Sequence, residues 1–434
     1  MATMSRRHFL ALAGLTGAGL TLSACAGTGG NKPQEGDKNT ITWWSSHPGT
    51  SKDVEMELIK RYQEKNPDMK VNLVDAGKNY AETAQKFNAA LSGGDLPDVV
   101  LLSDVWWFNF ALNNQIAEIG SLAKDNGADT STFVTSLYDD YKYKGGHYAM
   151  PFARSTPLFY YNKDAWAAAG LPDRGPQSWE EMAEWGKKLQ GSLDGGKKAF
   201  GWGDAANYLS WYFEGPMWTL GGSYSKEWDF TLASDETVKA AEFLRSSVKD
   251  GWATISKDIA SDFSAGLLAA TVASTGDLTG VTKNSKFNVG TAFLPNPTGQ
   301  GGCPTGGSGL AVPSGITKER QVNAVKFIDF VTSAENTAYW SQHVGYMPVR
   351  KTALDLPEQK KFMEDNPNYS TAARQLETTR PQDNARVFIG GGDQKIGAAL
   401  ETIATTDKDI KAELSRVNDE LKNDYERDIK PKLK

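Results

Sequence analysis

Strand-like and helix-like segments alternate at a short pitch between residues 40 and 104, and this alternation restricts the fold more than any other feature. The apolar runs are 41–44, 71–74 and 99–102, and the helical segments carry Val54, Leu58 and Tyr62 or span 83–91. This order of strand, helix, strand, helix and strand predicts an open α/β sheet. Ligands of such sheets bind outside the carboxyl ends of the strands, where Ser45 and Asp104 stand in this sequence.

The remainder of the chain predicts a second α/β lobe that begins near Pro151. Helical spacing covers 179–189, 238–249, 258–268, 322–330 and 334–343, with strands near Val272 and Val289. Glycines and prolines between 295 and 313 predict a long loop. A final apolar stripe at 410–421 predicts an amphipathic helix that docks on the body, and a membrane or partner helix is the less favoured alternative.

The first 24 residues have the pattern of an export signal. The pair Arg6-Arg7 precedes an apolar run that is shorter than the ~20 residues a spanning helix needs, and Leu22-Ser23-Ala24-Cys25 reads as a lipobox. We therefore expect a twin-arginine lipoprotein signal at 1–24, lipidation at Cys25 and a flexible tether at 25–39. The protein would then sit on the outer face of the bacterial cytoplasmic membrane, held there only by its lipid anchor.

Charge and motif content exclude several classes of function. The net charge of −6 argues against a nucleic-acid surface, which would be basic. No nucleophile motif occurs with its companion motifs, and His47, His147 and His343 lie in unrelated segments, where each reads as a turn or surface residue. We expect no enzyme activity, cofactor or metal. Cys303 reads as a small packing residue without a disulfide partner.

Binding signatures are richer, and they carry a family resemblance. Residues 153–163 run from Ala153-Arg154-Ser155-Thr156-Pro157 into an aromatic strand, and 345–350 read Gly-Tyr-Met-Pro-Val-Arg. Both segments resemble hallmarks of the extracytoplasmic solute-binding proteins of ABC importers. The resemblance implies a two-lobed periplasmic-binding-protein-like α/β fold of the class II type, with the ligand cleft between the lobes. It places lobe 1 at 40–151 and 310–346, and lobe 2 at 152–309 and 347–434.

Within that superfamily the chain resembles the members that bind glycerol-3-phosphate and glycerophosphodiesters. The shared stretches are 45–49, 75–80, 85–91, 304–307 and 384–388. Carried over position by position, this resemblance assigns the phosphate end of the ligand to Arg386, Tyr346, Ser155, Ser274 and Gly307. It assigns the glycerol and headgroup end to Asp104, Tyr80, Trp211 and Tyr208. Tyr208 departs from the family pattern, which has tryptophan or leucine at this position.

The chemistry of these residue types agrees with such a ligand. Arginine donates two parallel charge-assisted hydrogen bonds to a phosphate, and glycines let backbone N–H groups approach an anion. A carboxylate such as Asp104 would repel phosphate, which predicts a place for it at the opposite end. Each residue taken alone has another interpretation: Arg386 as a surface ion-pair residue, Asp104 as a helix N-cap and the glycines 299–309 as a plain loop.

The sequence therefore predicts a substrate-binding protein that captures glycerophosphodiesters such as glycerophosphocholine, or glycerol-3-phosphate, and delivers them to the permease subunits of an ABC importer. We expect a monomer. A sugar-binding or oligosaccharide-binding protein of an ABC importer is the main alternative, because tryptophan and aspartate also suit saccharides. An extracellular phosphodiesterase is a more distant alternative, since it needs a metal cluster or a nucleophile with its base.

Overall fold

The computed structural model of the protein describes residues 33–47, 51–299 and 301–433. The predicted signal peptide at 1–24 and the predicted lipidation site Cys25 lie outside these residues. Residues 33–39 fall within the predicted tether, yet Gln34 pairs with Ile316 and accepts a hydrogen bond from the Leu96 amide at 2.7 Å. At this point the chain lies against the body rather than free of it.

Two five-stranded sheets organise the body, and each mixes parallel with antiparallel pairs. Their strands in chain order are β1 (Thr40–Ser45), β2 (Lys70–Asp75), β3 (Val99–Ser103), β4 (Met150–Ser155), β5 (Pro157–Asn162), β6 (Phe200–Gly203), β7 (Ala253–Ser256), β8 (Ala270–Ser274), β9 (Val289–Ala292) and β10 (Gly306–Ala311). The first sheet has the order β2-β1-β3-β10-β4, and the second has the order β7-β6-β8-β5-β9. We call the halves built on these sheets lobe 1 and lobe 2.

Helices flank both sheets. The helices before residue 220 are α1 (Lys52–Lys65), α2 (Tyr80–Ala90), α3 (Trp107–Leu112), α4 (Gly120–Asp125), α5 (Thr135–Asp139), α6 (Lys163–Ala168), α7 (Trp179–Gln190), α8 (Leu209–Tyr212) and α9 (Glu214–Thr219). Those after it are α10 (Asp235–Lys249), α11 (Ile259–Ser264), α12 (Leu278–Asn284), α13 (Lys318–Val331), α14 (Ala334–Val344), α15 (Pro357–Asp365), α16 (Pro367–Gln375), α17 (Asn384–Val387), α18 (Gly392–Thr405) and α19 (Ile410–Asp424).

The predicted first α/β unit is confirmed. Strand β1 pairs in parallel with β2 and β3, and α1 ends at Lys65, directly before Asn66-Pro67. Trp43 of β1 is buried and packs edge-on against Phe327 of α13 and against Phe152 of β4. The C-terminal stripe is confirmed as well, since α19 buries Leu414, Val417 and Leu421.

The prediction of a loop from 295 to 313 is wrong, because β10 lies inside it and occupies the sheet position between β3 and β4. The cause is steric. A Cβ on Gly306 would lie 2.3 Å from the Trp211 ring, and one on Gly307 would lie 2.1 Å from the Ala153 carbonyl oxygen. Only glycine fits at positions 306 and 307, so this strand has the glycine-rich composition that is typical of a loop.

The chain passes between the sheets at several points. Thr156 alone separates β4 from β5, and the return from β9 to β10 carries the pair 303–304, which bonds to 379–380. A third crossing lies at Met347, whose amide donates to the Arg154 carbonyl at 2.8 Å. It therefore runs beside the first crossing, at Thr156. The lobe boundaries at 151/152, 309/310 and 346/347 stay a prediction.

No helix in the described part of the chain is both long and apolar enough to cross a membrane.

Candidate functional site

A cavity of about 680 Å³ opens between the two lobes. Strand ends of both sheets form its walls: Asp104 follows β3, Ser155 ends β4 and Ser274 ends β8. All nine residues that the sequence assigned to the ligand lie on these walls, namely Tyr80, Asp104, Ser155, Tyr208, Trp211, Ser274, Gly307, Tyr346 and Arg386. The structure therefore brings the predicted residues together, although their roles toward a ligand stay a prediction.

Arg386 lies in the short helix α17 and is 2% exposed, so its interpretation as a surface ion-pair residue is wrong. Its Nε donates to Ser210 Oγ at 3.2 Å, and its Nη1 donates to the side-chain oxygen of Gln382. Its Nη2 makes no hydrogen bond to any of the described residues. This buried guanidinium therefore retains donors for an anion in the cavity.

Asp104 stands beside Arg386, with 3.9 Å between its Oδ2 and Nη1. The prediction that the two lie at opposite ends of the site is therefore wrong. The physical reason is that a buried guanidinium is costly without a nearby opposite charge. The N-cap interpretation of Asp104 is wrong too, since α3 begins at Trp107 without a side-chain cap. The carboxylate instead accepts from the Val105 amide at 3.0 Å and from Gln382 Nε2 at 2.5 Å.

Trp211 forms an apolar wall rather than a donor. Its Nε1–H is already donated to the Thr305 carbonyl at 2.9 Å, and the ring covers the backbone of Gly306. The indole can therefore contact the carbon skeleton of a ligand through its face, while its N–H is bonded to Thr305 in the segment that leads into β10.

Tyr208 stands at the rim of the cavity with 42% of its surface exposed. Its φ of 60° lies in the left-handed region, which is uncommon for a residue with a side chain. Asn207, directly before it, donates both its backbone amide and its side-chain amide to Asp204 Oδ1 at 2.8 Å. This turn holds the phenol at the cavity mouth.

An aromatic cluster closes the lobe 1 side of the cavity. The Tyr80 and Tyr346 hydroxyls lie 3.2 Å apart, and the His47 ring meets Tyr80, Tyr346 and Trp340 edge-on. Burial lowers the pKa of His47 to about 4, so its imidazole is neutral at physiological pH. His47 lies in the irregular segment directly after β1, and this position brings its partly buried ring into the cluster.

Several cavity residues were not found from the sequence. They are Ser46, Lys78, Ser103, Trp106, Asn207, Ser210, Asp277, Asp393 and Gln394. Ser46 directly follows β1 and Ser103 ends β3. Their position at strand ends was the one signal in the sequence that could have placed them in the cavity. Burial raises the pKa of Asp277 to about 6 and also raises the pKa of Asp393.

Glu55 supports the turn that carries Ser46 and His47 into the cavity. Ser45 Oγ donates to Glu55 Oε1 at 2.5 Å, and the carboxyl group is 1% exposed. Burial raises the pKa of Glu55 from 4.5 to about 8, so the folded protein holds a proton there that the unfolded chain releases above pH 4.5. The stabilisation by this group is therefore complete below pH 4.5 and is lost as the pH rises toward 8.

We expect Glu55→Gln to remove this contribution to the pH dependence. Between pH 5 and 7 the free energy of unfolding of the wild type should fall by about 1.4 kcal/mol per pH unit relative to the variant. Urea denaturation at several pH values measures this difference. Glu57→Gln on the same helix is the control, because a hydrogen bond from Arg61 lowers the pKa of Glu57. Equal slopes for wild type and Glu55→Gln would contradict the assignment.

The site suits binding by contact rather than by metal coordination. Among the residues that the structure describes, no three or more histidine, cysteine, aspartate or glutamate side chains cluster in a way that could hold a metal ion. Cys303 is a buried free thiol whose pKa is raised by burial, as expected for a packing residue. What the cavity offers is one buried guanidinium, the carboxyl groups of Asp104, Asp277 and Asp393, hydroxyl groups, glycine backbone and aromatic faces.

Comparisons with known proteins agree with this architecture. Residues 57–371 match the family of bacterial extracellular solute-binding proteins. The chain is 31% identical over 362 residues to the sn-glycerol-3-phosphate-binding periplasmic protein UgpB of Escherichia coli K12, with 78% of this chain and 80% of the relative covered. It is 50% identical to UgpB of Mycobacterium tuberculosis, solved in complex with glycerophosphocholine, with a TM-score of 0.87 over 90% of this chain and 99% of the other.

The fold extends to sugar-binding relatives. Maltose-bound MalE3 of T. maritima superimposes with a TM-score of 0.77 at 22% identity, covering 88% of this chain and 99% of the other. At this identity the likeness concerns the fold alone. The predicted two-lobed fold of periplasmic solute-binding proteins is confirmed.

Proposed function

The chain belongs to the family of bacterial extracellular solute-binding proteins, and from this we infer that it captures glycerophosphodiesters such as glycerophosphocholine, or glycerol-3-phosphate, for an ABC import permease. The observation that carries the proposal is Arg386, a buried guanidinium on the wall of the interlobe cavity with donors not used by the protein. Of the similar proteins, UgpB of Escherichia coli K12 is named for sn-glycerol-3-phosphate, and UgpB of Mycobacterium tuberculosis was solved with glycerophosphocholine.

The phosphate end of the ligand would lie at Arg386. The hydroxyls of Tyr346, Ser155 and Ser274 would donate to phosphate oxygens without adding charge, and the backbone of Gly307 allows close approach because no side chain stands in the way. Buried charge-assisted hydrogen bonds from a planar guanidinium are the strongest of these contacts.

The glycerol and headgroup end would use the other cavity residues. Tyr80 offers a hydroxyl for the glycerol, and the face of Trp211 offers contact for the carbon chain. Asp104 stands beside Arg386, so its carboxylate would accept from a glycerol hydroxyl close to the phosphate rather than at the far end of the ligand. Tyr208 at the rim would meet the headgroup. An aromatic face there favours a quaternary ammonium group such as choline.

The sugar-binding alternative is weaker because a neutral saccharide carries no negative charge to pair with a buried guanidinium. An extracellular phosphodiesterase is disfavoured by the chemistry of the described cavity walls, where the acidic groups Asp104, Asp277 and Asp393 stand without a nucleophile and base pair. We propose that the protein binds without catalysis, acts as a monomer and closes its lobes over the ligand for recognition by the permease.

We also propose a lipid anchor at Cys25 after export through the twin-arginine signal at 1–24. Acyl chains at this position would keep the binding body at the outer face of the cytoplasmic membrane, near its permease. This proposal rests on the sequence motif and on membership of an extracytoplasmic family. Mass spectrometry of the membrane-associated protein would detect an acylated N-terminal Cys25.

Calorimetric titration with three ligands tests the proposed function. Glycerophosphocholine and glycerol-3-phosphate should each bind with a 1:1 stoichiometry, and maltose should give no heat of binding, because only the phosphate esters engage Arg386. Tight maltose binding without any response to the phosphate ligands would replace this proposal by the sugar-binding alternative.

A further inference from the structure

Gln382 lies between Asp104 and Arg386 and touches both. Its Nε2 donates to Asp104 Oδ2 at 2.5 Å, and its Oε1 accepts from Arg386 Nη1. The side chain is 8% exposed and stands behind the two charged groups. It therefore connects the carboxylate and the guanidinium without being one of the residues that line the cavity.

The chemistry of the three groups fixes the orientation of this amide. A guanidinium has only donors and a carboxylate has only acceptors, so the group between them must accept on one side and donate on the other. A side-chain amide does both and carries no charge. A carboxylate or an ammonium of similar length would leave one of these contacts unmade, and an apolar group would leave both unmade.

The amide also keeps the opposite charges from direct contact. Asp104 Oδ2 lies 3.9 Å from Arg386 Nη1, which is beyond the usual N–H···O hydrogen-bond distance of roughly 2.7–3.2 Å. The guanidinium is thus compensated electrostatically, while its remaining donors are not occupied by the carboxylate.

The segment that carries Gln382 is itself held in place. The next residue, Asp383, accepts from Trp218 Nε1 at 3.2 Å and from the Tyr224 amide at 2.7 Å. Its own amide donates to Glu214 Oε1 at 2.8 Å, and Glu214 is fully buried. The backbone at residue 382 is therefore fixed against lobe 2, which limits where its amide can reach.

We propose that Gln382 is a positioning residue for anion binding, which orients the Arg386 guanidinium and separates it from Asp104 so that a phosphate can take its donors. This inference rests on the proposed function, because it concerns the anion that Arg386 would bind. A preoriented guanidinium loses less conformational entropy when ligand binds. A carboxylate in direct contact with it would compete with the phosphate for the same N–H groups.

Two substitutions at this position should have different signatures. Gln382→Met removes both hydrogen bonds and lets Asp104 approach Arg386, so the affinity for glycerophosphocholine should fall about tenfold. Gln382→Glu places a negative charge on Arg386 and should bind still more weakly at pH 8. Its affinity should recover toward pH 5, because the protonated carboxyl group can again donate to Asp104. Glycerophosphocholine is the probe because its diester phosphate does not titrate in this range.

Calorimetry at pH 5, 6, 7 and 8 measures these profiles, and thermal unfolding checks the fold of each variant. Gln359→Met is the matched control: Gln359 is also buried, bonds to Gln342 and lies outside the cavity, so its substitution should leave the affinity unchanged. A wild type that binds neither phosphate ligand contradicts the proposed function itself. A wild type that binds, together with a Gln382→Glu variant that binds equally at pH 8, overturns only the role of Gln382.

A charge-conserving pair of substitutions keeps the test decisive if Gln382→Glu alone is unstable. The double variant Asp104→Asn with Gln382→Glu keeps the net charge of the wild type. The new amide at position 104 can donate to the new carboxylate at position 382, which then accepts directly from Arg386. We expect the double variant to bind glycerophosphocholine at least about tenfold more weakly than Asp104→Asn alone. Equal affinities of these two variants would overturn the proposal.

Discussion

Arg386→Ala is expected to reduce the affinity for glycerol-3-phosphate and glycerophosphocholine by more than a hundredfold, a loss of about 3 kcal/mol or more. The guanidinium is the one buried cation that the described cavity walls present, since the other basic residue there, Lys78, is exposed. Without it, a phosphate entering the cavity would face Asp104 with no opposite charge beside it. Calorimetric titration of wild type and variant with both ligands measures the loss.

Two further variants test the cause of the lost affinity: one separates the geometry of the guanidinium from its charge, and the other is a control for the loss of a buried arginine. Arg386→Lys keeps the positive charge but lacks the planar fork, so it should bind with an intermediate affinity. Arg320→Ala removes another buried arginine, which pairs with Asp98 at 2.7 Å outside the cavity. It should lower the free energy of unfolding and leave the affinity of the folded protein unchanged. An Arg386→Ala variant that binds like the wild type would remove Arg386 from the ligand site.

Gly307→Ala is expected to destabilise the protein by about 3 kcal/mol or more. Gly307 has a φ of +93°, and a Cβ added there would lie 2.1 Å from the Ala153 carbonyl oxygen in the neighbouring strand. The substitution therefore adds backbone strain and also forces apart β10 and β4, which form the lobe 1 wall of the cavity. Urea denaturation measures the stability, and calorimetry should show weaker ligand binding by the protein that remains folded.

Gly127→Ala is the matched control for this prediction. Gly127 has a similar φ of +88°, but no heavy atom lies within 4 Å of an added Cβ. The backbone strain is then the only penalty, about 1–2 kcal/mol. If Gly307→Ala cost no more than Gly127→Ala, the close packing of β10 would not be what requires glycine at this position.

The first α/β unit could be predicted because its signals are local. Val54, Leu58 and Tyr62 repeat at helical spacing, and all three are buried in α1. The strand β10 could not be predicted in this way. Gly306, Gly307 and Gly309 have no side chains that could show an alternation, and their reason for being glycine lies in Trp211, Ala153 and Tyr141, which are distant in sequence.

The site shows the same division. Motif resemblance named nine residues, and the structure places all of them around one cavity. The motif resemblance did not reveal that Asp104 and Arg386 are neighbours, or that Gln382 stands between them. The position of His47 among Tyr80, Tyr346 and Trp340 was missed for the same reason, because its partners lie in α2, in α14 and in the segment after α14, all distant in sequence.

By itself the sequence determined the α/β class through its periodicity, because periodicity is a property of neighbouring residues, and its resemblance to a known family predicted the two-lobed architecture and the residues of the cavity. Only the tertiary structure decided which charges meet. Asp104 and Arg386 are 282 positions apart in the chain, and the folding of lobe 1 against the 382–388 segment brings them to 3.9 Å. Burial then makes that proximity matter, since charges removed from water must be compensated by the few groups within reach.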